Sequence, residues 1–414
     1  MNQTIGTNVS DLLAIEGGAP VRTSPLPTWP SPGAEEISAV TAVLTSGRLN
    51  YWTGEQGHLL EQEFSAYLGR DRAIAVANGT VALELALRAF GIGAGDKVVV
   101  PARTFIATAS AVVAVGATPI VCDVDPVSGT MTAESASAVL DASVRAVIPV
   151  HLGGWPVDLD PILELAEHHD LVVIEDCAQA HGGTYRGRPI GAGPSHAAAF
   201  SFCQDKIIPV GDGGLVVLDD EAAYTRAWEY KDHGKSLAKL KDPAFMDEPA
   251  SFRWLHDEFG TNWRLDEMSS AVARVGLTKL PSWHHTRTAH ARRIAEGLTG
   301  VRGIRVLLPG DGAEHAFYRL YATIVPEELT SGWNRDRILE AVLAEGVRIQ
   351  YGSCAEVYRE GAFIKHGLGP AQRLPNAARL DETSLAFFVH PTLGNQDIDD
   401  TVTAVRKVLG VATS

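Results

Sequence analysis

A lysine and an aspartate each follow a short apolar run of the chain, and together they could bind and activate a small molecule. Residues 171–174 precede Asp176, and residues 197–202 precede Lys206. Both runs are bounded by turn residues and are too apolar for surface strands, so we predict two buried parallel strands. Ligands bind beyond the carboxyl ends of such strands, which would place the amine and the carboxylate at one crevice.

These two residue types indicate a particular chemistry. A lysine at the mouth of an apolar crevice has a lowered pKa and becomes a nucleophile. A half-buried carboxylate needs a cationic partner, and a protonated pyridinium is one. Our hypothesis is that Lys206 carries pyridoxal phosphate and that Asp176 keeps its ring nitrogen protonated. The alternatives are a surface lysine and an aspartate that caps the segment after it. His181 is either a polar group behind the site or a core histidine.

Two further segments have a functional and a structural interpretation. Asn78-Gly79-Thr80 separates a predicted strand from a predicted helix. Gly79 allows close backbone approach, Thr80 offers a hydroxyl, and the helix start presents free N–H groups, which together suit a phosphate. An ordinary helix cap by Asn78 or Thr80 is the alternative. The aromatic loop 46–54, which contains Trp52, either covers a binding site or is a packed connector.

The elements that would position these residues alternate between strand and helix. Strands separated by helices of this length predict an α/β fold with a parallel or mostly parallel sheet and right-handed crossovers. The predicted strands are 73–77, 97–101, 119–122, 144–150, 171–174, 197–202 and 215–218.

After residue 220 the pattern changes. Residues 231–257 are polar and irregular, which favours a mobile or partner-contacting excursion. A second α/β pattern begins near residue 301. We therefore predict three parts: an N-terminal arm, a large domain and a small C-terminal domain, at residues 1–33, 34–280 and 281–414.

Composition limits the class of protein. The chain has 414 residues, 45% hydrophobic and 21% charged, which suits a soluble globular protein. The net charge of −15 argues against nucleic acid or an anionic membrane as the main partner. We expect neither a secretory signal nor a membrane span, since no basic-then-apolar N-terminus and no long apolar run occurs. The four cysteines are widely spaced, so we predict reduced, buried thiols in a cytoplasmic protein, without a metal site.

Ordered motifs along most of the chain carry a family resemblance. They include Asn78-Gly79-Thr80-Val81-Ala82-Leu83 and Glu175-Asp176-Cys177-Ala178-Gln179-Ala180-His181-Gly182. The others lie at residues 101–105, 149–152, 201–206, 211–214, 232–234 and 260–268. From about residue 13 to 409 the chain resembles the DegT/DnrJ/EryC1/StrS aminotransferases, which share the aspartate aminotransferase (type I) fold.

The resemblance implies roles at the matching positions. Lys206 would bind the cofactor covalently and later carry a proton between the donor Cα and the cofactor, while Asp176 would pair with the pyridinium nitrogen. Phe105 would stack on the cofactor ring, and Gln179 would lie near its phenolic oxygen. The phosphate would be held by Gly79, Thr80 and Ser201. Asn262 would reach the phosphate of a neighbouring subunit in a homodimer with shared sites. Trp52, His181 and Tyr318 would lie near the substrate.

The implied reaction moves an amino group from glutamate or glutamine to a keto group of a nucleotide-linked deoxysugar or a cyclitol, through pyridoxamine phosphate. Such reactions serve natural-product or surface-polysaccharide biosynthesis. One alternative is other chemistry on the same fold, such as an aromatizing dehydratase of the amino-shikimate type. Another is a non-catalytic, cofactor-binding regulatory subunit. Departures from the family pattern near the crevice bear on the acceptor: Asp212, Ile207, Pro209 and Gly276.

Overall fold

The structure, a computed structural model, describes residues 12–246 and 253–414. The polar segment 1–10, for which we expect no secretory signal, lies outside the described residues, as do residues 247–252 of the predicted excursion. The described part of this predicted excursion contains two short helices, which the polar composition of the segment did not predict.

The strands and helices have the following bounds in chain order. The strands are β1 (Arg72–Val76), β2 (Lys97–Pro101), β3 (Thr118–Cys122), β4 (Val144–Val147), β5 (Val172–Asp176), β6 (Thr184–Tyr185), β7 (Arg188–Pro189), β8 (Ala197–Ser201), β9 (Gly214–Leu218), β10 (Ile304–Val306), β11 (Ala313–Glu314), β12 (Leu320–Ile324), β13 (Ile349–Gln350) and β14 (Ser384–Phe387). The helices are α1 (Ala34–Ser46), α2 (Gln56–Leu68), α3 (Gly79–Ala89), α4 (Ala107–Ala114), α5 (Ala133–Ser137), α6 (Leu159–His169), α7 (Glu221–Lys231), α8 (Leu237–Lys241), α9 (Pro243–Met246), α10 (Glu267–Gly297), α11 (Arg335–Ala344), α12 (Gly361–His366), α13 (Pro375–Thr383) and α14 (Asn395–Ala412).

The large sheet has the strand order β1-β9-β8-β5-β4-β2-β3. The pairs from β8 to β3 are parallel, which confirms the predicted α/β class, whereas β9 runs antiparallel to both β8 and β1. Residues 202–213, which join β8 to β9, contain no helix. Because a parallel return needs a crossover, usually helical, this connection leads to an antiparallel pair.

Helices cover both faces of this sheet. Successive strand residues point to opposite faces. On β1, Ile74 and Val76 share a core with residues of α3 and α7, while Ala73 and Ala75 share a core with residues of α2 and α10. The strands are therefore buried on both sides, and their polar ligand-binding groups can emerge only at their ends.

A smaller antiparallel sheet, β10-β12-β14-β13, forms the second core with α11 and α14. The helix α10 connects the two cores, since Leu280 belongs to the first and Ala291 and Ile294 to the second. The predicted boundary between residues 280 and 281 falls inside this helix and stays a prediction.

The thiols differ from expectation in one respect. All four are free, and Cys122 and Cys177 are buried, but Cys203 is half-buried and Cys354 is exposed. The prediction of buried thiols is wrong for Cys354 because it lies in the loop after β13. Across the described ranges, no helix has the length and apolar character needed to cross a bilayer.

Candidate active site

Asp176 lies at the carboxyl end of one parallel strand, and Lys206 lies just after the end of its neighbour. Asp176 is the last residue of β5 and pairs in register with Ala199 of β8, and Lys206 follows β8 by five residues. Asp176 is buried and Lys206 is partly buried. The two residues therefore lie at the same edge of the sheet, as the two apolar runs predicted.

The Asp176 carboxylate has two hydrogen-bond donors. Thr108 Oγ1 donates to Oδ2 at 2.9 Å, and the Ala178 amide donates to Oδ1 at 3.1 Å. Burial raises the pKa of Asp176, and these two hydrogen bonds and the charge of Lys206 oppose the rise only in part. No helix begins after Asp176, so its bond to Ala178 closes a turn and is not a helix cap. A cation beside this carboxylate would stabilise its charged form.

Behind Asp176, two threonines form a short relay. Thr104 and Thr108 share a hydrogen bond of 2.7 Å between their hydroxyls, and Thr108 continues it to the carboxylate. Sequence reasoning missed Thr108. No local pattern points to it, because Thr104 lies in the bend before α4 and Thr108 lies inside that helix. Phe105, next to Thr104, leaves 65% of its surface exposed, so its ring is free to stack on a planar ligand.

Lys206 contacts a residue that is distant in the sequence and lies just before β12. Its Nζ lies 4.7 Å from the centroid of the Tyr318 ring, and the Tyr318 hydroxyl donates to Asp205. Burial lowers the pKa of Lys206, although the carboxylates of Asp205 and Asp176 act in the opposite direction. Arg319 lowers that pKa further. The amine thus has more of its neutral, nucleophilic form than an ordinary lysine at the same pH.

The segment at the start of α3 packs closely against two strands. Asn78 Oδ1 accepts a hydrogen bond from the Val81 amide at 3.0 Å, so Asn78 is the helix cap. A Cβ on Gly79 would lie 2.6 Å from the Ser201 Cβ, and a Cβ on Gly214 would lie 2.8 Å from the Gly79 nitrogen. Glycine at both positions lets the helix start, with half-buried Thr80, meet Ser201 at one point. The cap interpretation is confirmed, and this arrangement is also compatible with a phosphate.

Side-chain hydrogen bonds connect the end of β5 and the residues after it to the segment that follows β4. Gln179 Oε1 accepts from the Gly153 amide at 2.6 Å. His151 Nδ1 accepts from the Val157 amide, so its Nε2 carries the proton and donates to Glu175 at 3.0 Å. Burial raises the pKa of Glu175, but the His151 and other hydrogen bonds outweigh it and lower the pKa overall.

His181 lies inside an aromatic cluster. Its ring centroid is 6.3, 5.3 and 5.6 Å from those of Phe64, Phe200 and Phe202. Neither ring nitrogen has a hydrogen-bond partner in the described part of the chain. Burial, with the nearby charges of Lys206 and Arg287, lowers its pKa to about 3. The core interpretation fits this position, and the substrate contact stays a prediction.

Trp52 and Asn262 both contact Asp232. Trp52 Nε1 donates to Asp232 Oδ1 at 3.2 Å, and Lys235 Nζ lies 4.1 Å from the Trp52 ring. Asn262 is exposed and forms a β-bridge with Asp232. These two contacts of Trp52 are of the kind that a packed connector makes. Contact between Trp52 and the substrate of a second subunit stays a prediction.

The departures from the family pattern fall into packed and exposed positions. Ile207 and Ile208 are fully buried, and a Cβ on Gly276 would lie 2.6 Å from Ile208 Cγ2. Gly276 is therefore matched to the isoleucine that packs over it. Pro209 lies beside this contact, whereas Asp212 is exposed.

The fold and this geometry define a class: an α/β protein with a lysine of lowered pKa and a buried carboxylate at the carboxyl ends of parallel strands. Residues 30–406 match the DegT/DnrJ/EryC1/StrS aminotransferase family. The chain belongs to this family, has its type I aminotransferase fold and is an aminotransferase. The family's aminotransferases depend on pyridoxal phosphate.

Two relatives illustrate the similarity in sequence. The dTDP-3-amino-3,4,6-trideoxy-alpha-D-glucose transaminase of Streptomyces venezuelae is 42% identical over 375 residues, which cover 90% of this chain and 92% of the relative. The L-glutamine:2-deoxy-scyllo-inosose aminotransferase of Streptomyces fradiae is 36% identical over 322 residues, which cover 76% of this chain and 74% of the relative.

Solved structures give the same result. An aminotransferase from Psychrobacter cryohalolentis superposes with a TM-score of 0.91 at 44% identity, and the match covers 94% of this chain and 100% of that one. The S. venezuelae DesV, solved in complex with a ketimine intermediate, has a TM-score of 0.81 at 34% identity, with 91% and 94% covered.

Proposed function

We propose that this aminotransferase uses Lys206 and Asp176 with pyridoxal phosphate to move an amino group from glutamine or glutamate to a keto group of a nucleotide-linked deoxysugar or a cyclitol. The observation that carries the proposal is the placement of Lys206 and Asp176 at one edge of the sheet. Burial shifts both pKa values toward the neutral forms. A bound pyridinium compensates the carboxylate, and a bound aldehyde reacts with a neutral amine.

The residues around the crevice fit this cofactor. The exposed ring of Phe105 offers a stacking surface, and Asp176 offers a carboxylate for a ring nitrogen. The close packing of Gly79 on Ser201 puts the start of α3 next to that serine, which supports a phosphate site made of the helix-start amides and the hydroxyls of Thr80 and Ser201. In this proposal Gln179 lies near the phenolic oxygen.

Each residue then has a defined task in the reaction. Pyridoxal phosphate bound here supplies an electron sink for the bond broken at the donor Cα. Asp176, fixed by Thr108 and the Ala178 amide, keeps a proton on the ring nitrogen. Lys206, once displaced by the donor, would be a neutral amine that takes the proton from the donor Cα and delivers it to the cofactor. Tyr318, against the Lys206 chain, restricts where that amine can go.

The substrate class is supported by relatives from two groups. One similar protein is named a transaminase of a dTDP-linked deoxysugar, and another is named an L-glutamine-dependent aminotransferase of a cyclitol. This chain departs from the family pattern at Ile207, Pro209, Asp212 and Gly276, so we assign these positions to shaping the acceptor side.

The assembly proposed is a homodimer with shared sites. The exposed side chain of Asn262 would reach the phosphate bound by a second copy, and the Trp52 loop would approach that copy's substrate. Reduced thiols and an acidic surface support a cytoplasmic location without nucleic acid or membrane partners. We retain the division at residues 280 and 281 as the boundary between two domains.

Reduction and half-reaction experiments test the function. Borohydride reduction of the yellow protein followed by peptide mapping should place the cofactor on Lys206. Lys206→Ala should lose this label and the yellow colour, while Lys365→Ala, at an exposed lysine on α12, should keep both. L-glutamine or L-glutamate should bleach the wild-type colour. A wild type that stays colourless with excess pyridoxal phosphate would contradict the cofactor assignment.

If the protein is yellow but no amino donor bleaches it, amino transfer is wrong and a regulatory role is favoured. If an amino donor does bleach the protein, keto-deoxysugars and keto-cyclitols should restore the colour. Restoration by one group and not the other decides the acceptor class.

A further inference from the structure

A cavity of about 390 Å³ opens beside the active-site lysine. It lies between the N-terminal arm and the second core, next to the loop that carries Lys206. The lining residues that matter for its chemistry are Trp29, Asp205, Arg319, Arg348, Phe388 and His390. Trp29 Nε1 donates to the Lys206 carbonyl at 2.9 Å, so the arm side of the cavity contacts the lysine loop directly.

Two arginines face this cavity with little compensation from carboxylates. Arg319 is 8% exposed and, in the part of the chain described, donates one hydrogen bond, to the Tyr318 carbonyl. Its ion-pair partner, Asp205, is 3.6 Å from Nη2, beyond hydrogen-bond distance, and already accepts from the Tyr318 hydroxyl. Arg348 is exposed and makes no ion pair within residues 12–246 and 253–414; its guanidinium lies 5.2 Å from the Phe388 ring.

A third arginine adds to the positive potential. Arg287 is fully buried, and its Nε and Nη2 have no hydrogen-bond partner among the described residues. Its guanidinium lies 5.1 Å from the Trp29 ring, on the arm side of the cavity. Burial, with the charge of Arg319, lowers its pKa to about 9, and burial with both arginines lowers the pKa of His390 to about 3. The region therefore favours an anion.

Proximity to the amine decides which anion fits. Lys206 Nζ lies 4.7 Å and Arg319 Cζ lies 4.3 Å from the centroid of the same ring, that of Tyr318. The carboxylate of an amino acid is one bond from its reacting Cα. The diphosphate of a nucleotide sugar is separated from a reacting ring carbon by much of the sugar. An anion on Arg319 so close to the amine is therefore better matched by an α-carboxylate.

We propose that Arg319, with Arg348 at the mouth of the cavity, binds the α-carboxylate of the amino donor. This inference rests on the proposed function, since it assigns the donor's place in the same site. Contact with Phe388, 4.6 Å from the Arg319 guanidinium, and with Tyr318 restricts the orientation of its planar fork. A guanidinium held in this way can give a carboxylate two parallel hydrogen bonds.

Binding of glutarate, a dicarboxylate without an amine, tests the site by calorimetry on the holoenzyme. The wild type should bind glutarate and not the neutral diamide glutaramide. Arg319→Gln should weaken glutarate binding by at least about 10-fold, as expected for a lost charged hydrogen bond. Arg348→Gln should weaken it less, and Arg379→Gln, at an exposed arginine on α13, should leave it unchanged.

A parallel titration with dTDP separates the two anions. If Arg319→Gln weakens dTDP binding and leaves glutarate binding intact, the site serves a diphosphate and the inference is overturned. Equal binding of glutarate and glutaramide by the wild type also overturns the inference. This result needs no variant, so the test remains decisive even if Arg319→Gln does not fold. The yellow colour of each variant checks that the site is assembled.

The two proposals can fail separately. If the wild type binds glutarate through Arg319 but no donor bleaches the cofactor, amino transfer fails and the carboxylate site stands. If L-glutamine bleaches Arg319→Gln with an unchanged KM, the carboxylate site fails and amino transfer stands.

Discussion

Removing the Thr108 hydroxyl tests how Asp176 is held in its charged form. Thr108→Val keeps the shape of the side chain but removes one of the two donors to the buried carboxylate, the bond of 2.9 Å. A hydrogen bond to a charged group contributes about 1.5–3 kcal/mol. Burial already raises the pKa of Asp176, and loss of this donor raises it further.

The expected result is a slower first half-reaction. If the full contribution is lost in the rate-limiting step, bleaching by L-glutamine slows by about 10- to 100-fold, since about 1.4 kcal/mol is tenfold in rate. Because protonation of Asp176 then occurs at higher pH, the acid limb of the pH–rate profile moves to higher pH. Stopped-flow absorbance between pH 5 and 9 measures both effects.

Two variants serve as controls. Thr108→Ser restores the hydroxyl and should recover most of the rate. Thr104→Val leaves the Thr108 bond to Asp176 and removes only the outer hydroxyl, so its effect should be smaller. The reasoning is refuted if Thr108→Val is yellow and folded and its acid limb coincides with that of the wild type.

Three other substitutions probe the phosphate turn, the lysine and the packing behind the site. Gly79→Ala puts a Cβ 2.6 Å from a side chain of the adjacent strand, so a weaker Kd for pyridoxal phosphate in apoenzyme titrations is expected, and an unchanged Kd would contradict the cradle. Asp205→Asn removes the carboxylate that most strongly opposes the lowered pKa of Lys206, so the pH midpoint for cofactor reattachment should fall; a rise would contradict the sign. Gly276→Gln forces its side chain against Ile208 and should destabilise the protein to urea by about 1–3 kcal/mol, with partial recovery when Ile208→Ala is added.

The sequence predicted the site residues that lie at the ends of apolar runs. Asp176 and Lys206 could be found because a buried parallel strand is a short apolar segment and the polar residue after it must reach the sheet edge. Thr108 and Arg319 could not be found in this way. Their importance comes from what they contact in space, and neither an isolated threonine in a helix nor an arginine after a tyrosine has a local signature.

The sequence by itself determined the α/β class, the parallel strands around the site and the residues that define the family, since these follow from local hydrophobic pattern and ordered motifs. Only the tertiary structure decided that β9 returns antiparallel, that Tyr318, just before β12, contacts Lys206, and that His181 is enclosed by aromatic rings. The physical reason is that chain pairing and contacts between distant segments depend on the packing of the whole chain. Local pattern specifies which residues must be buried, but not which distant residues they are buried against.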